Sequence, residues 1–143
     1  MQRSQQTEFN IRTTGPGLYE FTAEVNAFIR KTGVATGLLT LFVCHTSCSL
    51  LIQENADPDV QTDLQAFFRK LAPHADDPSM HWITHTTEGP DDMPAHIKAS
   101  VLPVNLSIPV SRGALVLGTW QGIYLFEHRD RAHLRQVAAH LSG

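Results

Sequence analysis

Cysteine is scarce in this chain of 143 residues: there are two, Cys44 and Cys48, close together in one apolar run. On a single extended strand they sit too far apart for an easy disulfide. They read as small buried hydrophobes, and the expected setting is reducing and cytoplasmic. Positive charge is also sparse. Lys and Arg number 11 against 14 Asp and Glu, for a net charge of −3. The cations are scattered, so there is no basic stripe to neutralise the phosphates of a nucleic acid. No apolar run approaches the length of a membrane span, and the polar start MQRSQQTEFN lacks a signal-peptide pattern. Nucleic acid and membrane are therefore not expected partners. The chain also lacks a glycine-rich phosphate loop, a CxxC pair and an HExxH helix. Cys44 and His45 are poorly placed as a nucleophile and its base, because neighbours on a strand face opposite ways.

What the chain does have is apolar content and histidine. At 42% hydrophobic and 17% charged it can bury a core, and its length suits one domain, 1–143, with 1–6 as a polar, flexible tail. Eight histidines are an excess, and imidazole both titrates near neutrality and ligates metals.

In chain order, alternation predicts a strand at Thr7–Thr13 and an extended piece at Leu18–Phe21. The spacing of Val25, Phe28 and Ile29 predicts a helix over Thr22–Thr32, with Thr22 as N-cap and Gly33 as its stop. Val34–Gln53 is apolar on both parities and predicts two buried strands, Gly37–Cys44 and Cys48–Gln53, joined through His45-Thr46-Ser47. His45 has two readings: a buried histidine bonded to backbone, or a ligand or general base at the strand's mouth. Asp57-Pro58 opens a helix at Pro58–Leu71 with Val60, Leu64, Phe67, Phe68 and Leu71 on one stripe. Glu54 and Asn55, just after a buried strand, are candidate pocket residues. Met80–Thr84 reads as a short strand, and Pro94–Leu102 as a helix capped by Asp92 or Met93. Pro103–Pro109 reads as an edge strand. Ala114–Thr119 and Ile123–His128 read as a hairpin through Trp120-Gln121-Gly122, and Leu134–Leu141 as a last strand. Strands that do not alternate with helices in βαβ order predict an α+β fold, with layered mixed or antiparallel sheets and about three helices.

The densest chemistry lies in His81–Lys98, HWITHTTEGPDDMPAHIK, where Gly89-Pro90 forces a turn. His85 and His96, with His45, form a three-nitrogen set that suits a divalent metal such as Zn²⁺ when joined by Asp91, Asp92 or Glu88. His96 lies one helical turn beyond Asp92, so a carboxylate can orient its second ring nitrogen. Asp92 also has the ordinary duty of a helix cap.

Three stretches carry a family resemblance: CHTSCSLLIQENADPDVQTDL (Cys44–Leu64), EGPDDMPAHIK (Glu88–Lys98) and GTWQGIYLFEHRD (Gly118–Asp130). In this order and spacing the chain resembles the small YjbQ-type family, the secondary thiamine-phosphate synthases. The resemblance implies an α+β homotrimer with weak thiamine-phosphate synthase activity, which joins a pyrimidine diphosphate to a thiazole phosphate. It also implies a histidine-lined site, mapping here to His45, His85 and His96 near Asp91-Asp92 and the Trp120-Gln121 loop. The ordinary synthase is a TIM barrel, which this chain cannot build without βα repeats.

The expected activity is thus a metal-assisted condensation (Zn²⁺ or Mg²⁺) that releases pyrophosphate. His45, His85 and His96 would hold the metal. Asp91, Asp92 and His45 would do the acid–base work. Glu54, Asn55, Glu88, Trp120, Gln121 and Arg129 would bind a small phosphorylated metabolite, with Arg129 steering phosphate. The alternatives are a metal-dependent hydrolase on the same histidines, or a non-enzymatic trimer that binds a metabolite.

Overall fold

A computed structural model describes residues 4–143. The first strand, β1 (Ser4–Thr13), pairs over its whole length with the last, β8 (His133–Ser142). Part of the expected flexible tail is therefore ordered: residues 4–6 belong to β1, and residues 1–3 lie outside the described residues. The strand extends early because Gln5, Leu141 and their neighbours complete the antiparallel ladder. Then follow β2 (Gly17–Glu20), α1 (Thr22–Thr32), β3 (Gly37–Val43), β4 (Cys48–Glu54), α2 (Pro58–Leu71), α3 (Asp92–Val101), β5 (Asn105–Ser111), β6 (Ala114–Leu115) and β7 (Gln121–Glu127). A single 3-10 turn covers Pro78–Met80, and Met80–Thr84, expected as a short strand, forms none.

The fold is α+β, as expected, and every strand pair is antiparallel. One sheet has the order β1-β8-β3-β5-β6 and the other β2-β7-β4. The predicted hairpin of Ala114–Thr119 with Ile123–His128 does not form. The segment before β7 carries the chain from one sheet to the other, as the β3–β4 link also does. A periodicity that reports burial does not say against which sheet a strand is buried. The hairpin that does form is β5–β6, which turns at Arg112 (φ 53°) and Gly113 (φ 76°) with Ser111 opposite Ala114. Two left-handed residues in a two-residue loop match the right-handed twist of the strands.

The sheets face each other across one core. Leu39, Leu41 and Val43 of β3 and Val137, Ala139 and Leu141 of β8 meet Leu50 of β4 and Ile123 and Leu125 of β7, and Val25 and Ile29 of α1 join them. Gly33 ends α1 in the left-handed conformation. Phe21 rather than Thr22 sits at its cap, because the Thr22 hydroxyl accepts from the Ile123 N–H and donates to Glu20.

From Gly122 to Glu127, β7 is buried on both parities. Its outer residues are covered from the helical side. Phe126 meets Phe68 of α2 edge-on at 5.4 Å, and the Tyr124 hydroxyl accepts from Gln61. Asp57 caps α2 as predicted, accepting from the Asp59 N–H. The α2 stripe is thinner than expected: Phe68 is buried, while Phe67 and Leu71 are exposed. This layering puts the end of β7 beside the first turn of α3, and the candidate site lies there.

Candidate metal centre

At its carboxyl end β7 runs into Glu127-His128-Arg129-Asp130, and each of these side chains ties down a different part of the molecule. Glu127 is fully buried and pairs with Arg135 of β8, whose alternation places it on the core face. His128 is also buried, and its Nε2 lies 2.9 Å from the Ser49 hydroxyl. Arg129 reaches α3. Its Nε donates to Asp91 Oδ2 at 2.8 Å, its Nη1 to Asp92 Oδ1 at 2.7 Å and its Nη2 to the Glu88 carbonyl at 3.1 Å. The Asp130 N–H also donates to Asp91 Oδ2, at 2.9 Å.

Asp92 opens α3 inside the helix, and neither it nor Asp91 caps the helix through its side chain. The capping duty expected of Asp92 is replaced by another. Arg129 holds one carboxylate oxygen, and the other is shared by His85 Nε2 at 2.7 Å and His96 Nε2 at 3.1 Å. Gly89, at φ 103°, makes the turn that returns Glu88 to the cluster, where its Oε2 is 3.6 Å from His85 Nε2. One ligand atom from each of His85, Glu88, Asp92 and His96 lies within 4.8 Å of the others, a group that could hold a metal ion. Asp92 is buried, while His85 and Glu88 face solvent.

Burial would raise the Asp92 carboxyl, but the hydrogen bond from His85 and the nearby His96 and Arg129 charges outweigh it and hold it low. The same balance holds for Asp91, where Arg129 and the Asp130 N–H outweigh burial. Both aspartates are therefore anions at neutral pH.

The other expected site residues are placed as follows. His45 is outside the four-residue group. Its Nε2 accepts from the Gln136 N–H at 2.8 Å, and burial, then Arg135, lowers its pKa. It shares with His96 and Ser100 the lining of a cavity of about 300 Å³. Glu54, Asn55, Trp120 and Gln121 do come together, but elsewhere: Glu54 pairs with Gln121, and Asn55 N–H donates to the Trp120 carbonyl. They sit at the far end of β7, about 20 Å along the strand from Glu127. Glu54 is occupied at the start of α2, accepting from the Ala56 and Asp57 N–H groups. Arg129, expected to steer phosphate, is engaged by Asp91, Asp92 and Glu88 instead. The cysteines are unpaired, Cys48 buried and Cys44 exposed. Among the described residues no helix is long and apolar enough to cross a membrane.

His128 was missed by the sequence reading, and it makes the fold sensitive to acid. Burial first, and the Lys98 charge second, push its pKa down to about 3. In the unfolded chain a histidine takes up its proton near pH 6.5. Between those values the unfolded state binds one proton more, so stability falls as pH falls from about 6.5 towards 3. The low carboxyls of Asp91, Asp92 and Glu127 add to the loss below about pH 4. Urea midpoints measured across this range should fall steadily for the wild type. The fall between pH 6 and pH 4.5 should be clearly shallower for His128→Phe.

Two face-to-face antiparallel sheets, three helices and a His/Asp/Glu cluster at the mouth of a loop define a small α+β protein with a candidate metal centre. The chain belongs to the UPF0047 protein YjbQ-like family, which matches it over residues 7–143. It is 50% identical over 141 residues to a UPF0047 protein of Synechocystis, covering 99% of this chain and 93% of that one. The UPF0047 protein YjbQ of Escherichia coli is 39% identical over 139 residues, covering 96% and 97%. Among solved structures, an uncharacterised conserved protein of the same family from Clostridium acetobutylicum superposes with a TM-score of 0.81 at 34% identity, over 93% of this chain and 97% of that one.

Proposed function

We propose that this protein is a small divalent-metal-dependent enzyme acting on phosphorylated metabolites. The reaction to assay first is the one its family resemblance implies: joining a hydroxymethylpyrimidine diphosphate to a thiazole phosphate, with release of pyrophosphate. The observation that carries the metal is the hydrogen bonding of His96. Its Nδ1 lies 3.0 Å from the Thr46 carbonyl, which can only accept, so Nδ1 carries the proton. The lone pair of Nε2 then faces the anionic Asp92 Oδ2 at 3.1 Å. Two acceptors face each other there unless a second proton or a cation lies between them. A histidine with its tautomer fixed by a carbonyl is the usual form of a metal ligand. Two imidazole nitrogens with two carboxylates suit Zn²⁺ better than Mg²⁺, which prefers oxygen and water.

Such an ion would neutralise charge on a leaving diphosphate. His85 and His96 would hold it, Asp92 would be shared between them, and Asp91 would keep Arg129 locked on Asp92. His45 accepts at Nε2, so it presents an N–H at Nδ1, and the cavity it shares with His96 supports a role in orienting substrate. The exposure of His85 and Glu88 also favours a second reading, hydrolysis by a metal-activated water.

Zinc titration of chelator-stripped protein should show one ion per chain, with affinity at least tenfold weaker in His96→Ala. Turnover of the two synthase substrates should need the ion, and a panel of phosphate and carboxylic esters separates synthase from hydrolase. Equal zinc affinity in the wild type and His96→Ala would end the metal reading.

The homotrimer implied by the resemblance has its own support. Leu38 and Phe42 of β3 and Leu134 of β8 alternate with core residues and are 45%, 48% and 51% exposed on the uncovered face of the five-stranded sheet. An uncovered apolar sheet face marks a surface for another chain. Sedimentation should give three times the 15.9 kDa chain mass, and Phe42→Glu should shift it towards the monomer.

A further inference from the structure

Behind the first turn of α3, on the side away from His96, lies a cavity of about 390 Å³. That is within the range of small-molecule pockets, and none of the residues considered so far explains it. Its charged lining is uneven. The two acids, Asp91 and Asp130, are both engaged: Asp91 by Arg129, and Asp130 by His74 at 2.9 Å. The two cations, Arg69 from the last turn of α2 and Lys98 from the last turn of α3, have no carboxylate within 4.0 Å among the described residues. Basic residues at helix ends commonly answer the helix dipole. Here α2 also has Lys70 for that duty, and Lys98 is half-buried, a poor position for a charge that only answers a dipole.

A third observation is independent of the cations. His128 lines the same cavity, is 3% exposed, and its Nδ1 is a buried ring nitrogen with no hydrogen-bond partner. A buried polar atom left without a partner costs about 1–3 kcal/mol, so its retention calls for an explanation. If the Ser49 hydroxyl donates to Nε2, the proton of the neutral ring lies on Nδ1, which becomes a donor. The Lys98 ammonium is pushed to lower pKa by burial, Asp130 opposes this, and Arg69 adds to it. An anion between the two cations would give each of them a charged partner.

We propose that this cavity is a phosphate-binding subsite: Arg69 and Lys98 clamp a phosphomonoester, and His128 Nδ1–H donates to it or to its ester oxygen. Phosphate is favoured over carboxylate because two unpaired cations converge, and a phosphomonoester carries close to two negative charges at neutral pH. Pro16, Pro73 and Pro94 supply apolar walls for the rest of a small molecule. The inference rests on the reading above only for the class of ligand, because the cavity itself contains no candidate metal ligand of the cluster.

The test uses the full chain with excess chelator and inorganic phosphate as the probe, followed through the ring resonances of His128. Saturable shifts of the His128 ring are expected in the wild type. Lys98→Met and Arg69→Gln should each weaken phosphate at least tenfold, and Lys98→Arg should retain most of the affinity. Arg69 is exposed, so its variant tests the idea even if Lys98→Met fails to fold. No His128 shift with phosphate, or equal affinity in the wild type and Arg69→Gln, would overturn the proposal. Zinc binding is measured separately, so the two readings can fail independently.

Discussion

Glu127→Ala should lower the unfolding free energy by about 3–5 kcal/mol, the usual cost of removing one partner of a buried ion pair. Glu127 is fully buried, and every lone pair it offers is used. Thr13 Oγ1 donates to Oε1 at 2.7 Å and Arg135 Nε to the same oxygen at 2.8 Å. Oε2 accepts from Arg135 Nη2 and from the His128 and Arg129 N–H groups, at 3.1 and 3.2 Å. Burial alone would raise this carboxyl, but the Arg135 and Thr13 hydrogen bonds outweigh it. Removing it leaves Arg135, 4% exposed, with only Ser47 as partner, and frees the Arg129 N–H at the start of the loop that carries the Arg129 side chain. The loss should therefore reach the candidate site as well as the core. The double variant Glu127→Leu/Arg135→Met should recover most of the stability, because an apolar pair of similar volume leaves no charge uncompensated. Urea unfolding at pH 7 measures both. A single variant within 1 kcal/mol of wild type, about the size of one ordinary hydrogen bond, would mean that the pair contributes little.

The contrast between Glu127 and Asp57 shows what the sequence could tell. Asp57-Pro58 predicts the start of α2 because a cap and its helix are neighbours in the chain, and the structure agrees. The same locality places α1, its Gly33 stop and β8. Glu127 and Arg135 belong to strands in different sheets, and no local pattern announces their pairing. One signal was available: Arg135 shares parity with Val137, Ala139 and Leu141, so β8 puts a cation on its core face. A charge there requires a partner, and Glu127, the acid that ends the most completely buried strand, was the natural candidate.

The candidate site follows the same rule. His85, Glu88, Asp92 and His96 were visible together because a turn and one helical step bring them within reach of each other. His45 and the Trp120-Gln121 loop were joined to them by resemblance and by burial, and the fold separates that loop from the cluster by the length of β7. The task of Arg129 was hidden for the same reason as that of Glu127, since its partners lie far off in sequence on α3.

Asp91 and Asp92 are adjacent, have the same charge and are both held by Arg129, so a matched pair of variants separates geometry from charge. Asp92→Asn removes the oxygen shared by His85 and His96, and it should weaken zinc by more than the roughly 10–100-fold typical of an outer partner. Asp91→Asn leaves that oxygen in place and loosens only the Arg129 clamp, so its effect should stay within that range. Both variants should lose about 1–3 kcal/mol of stability, since each leaves Arg129 short of a charged partner at a buried position. A general electrostatic attraction of the loop for cations would instead weaken zinc equally in the two. Calorimetric titration of both variants, with unfolding curves from the same preparations, decides between these outcomes. Equal loss would mean that the Asp92 oxygen between the two histidines is not a metal ligand, and that the His85–Asp92–His96 contacts serve to hold the loop on α3.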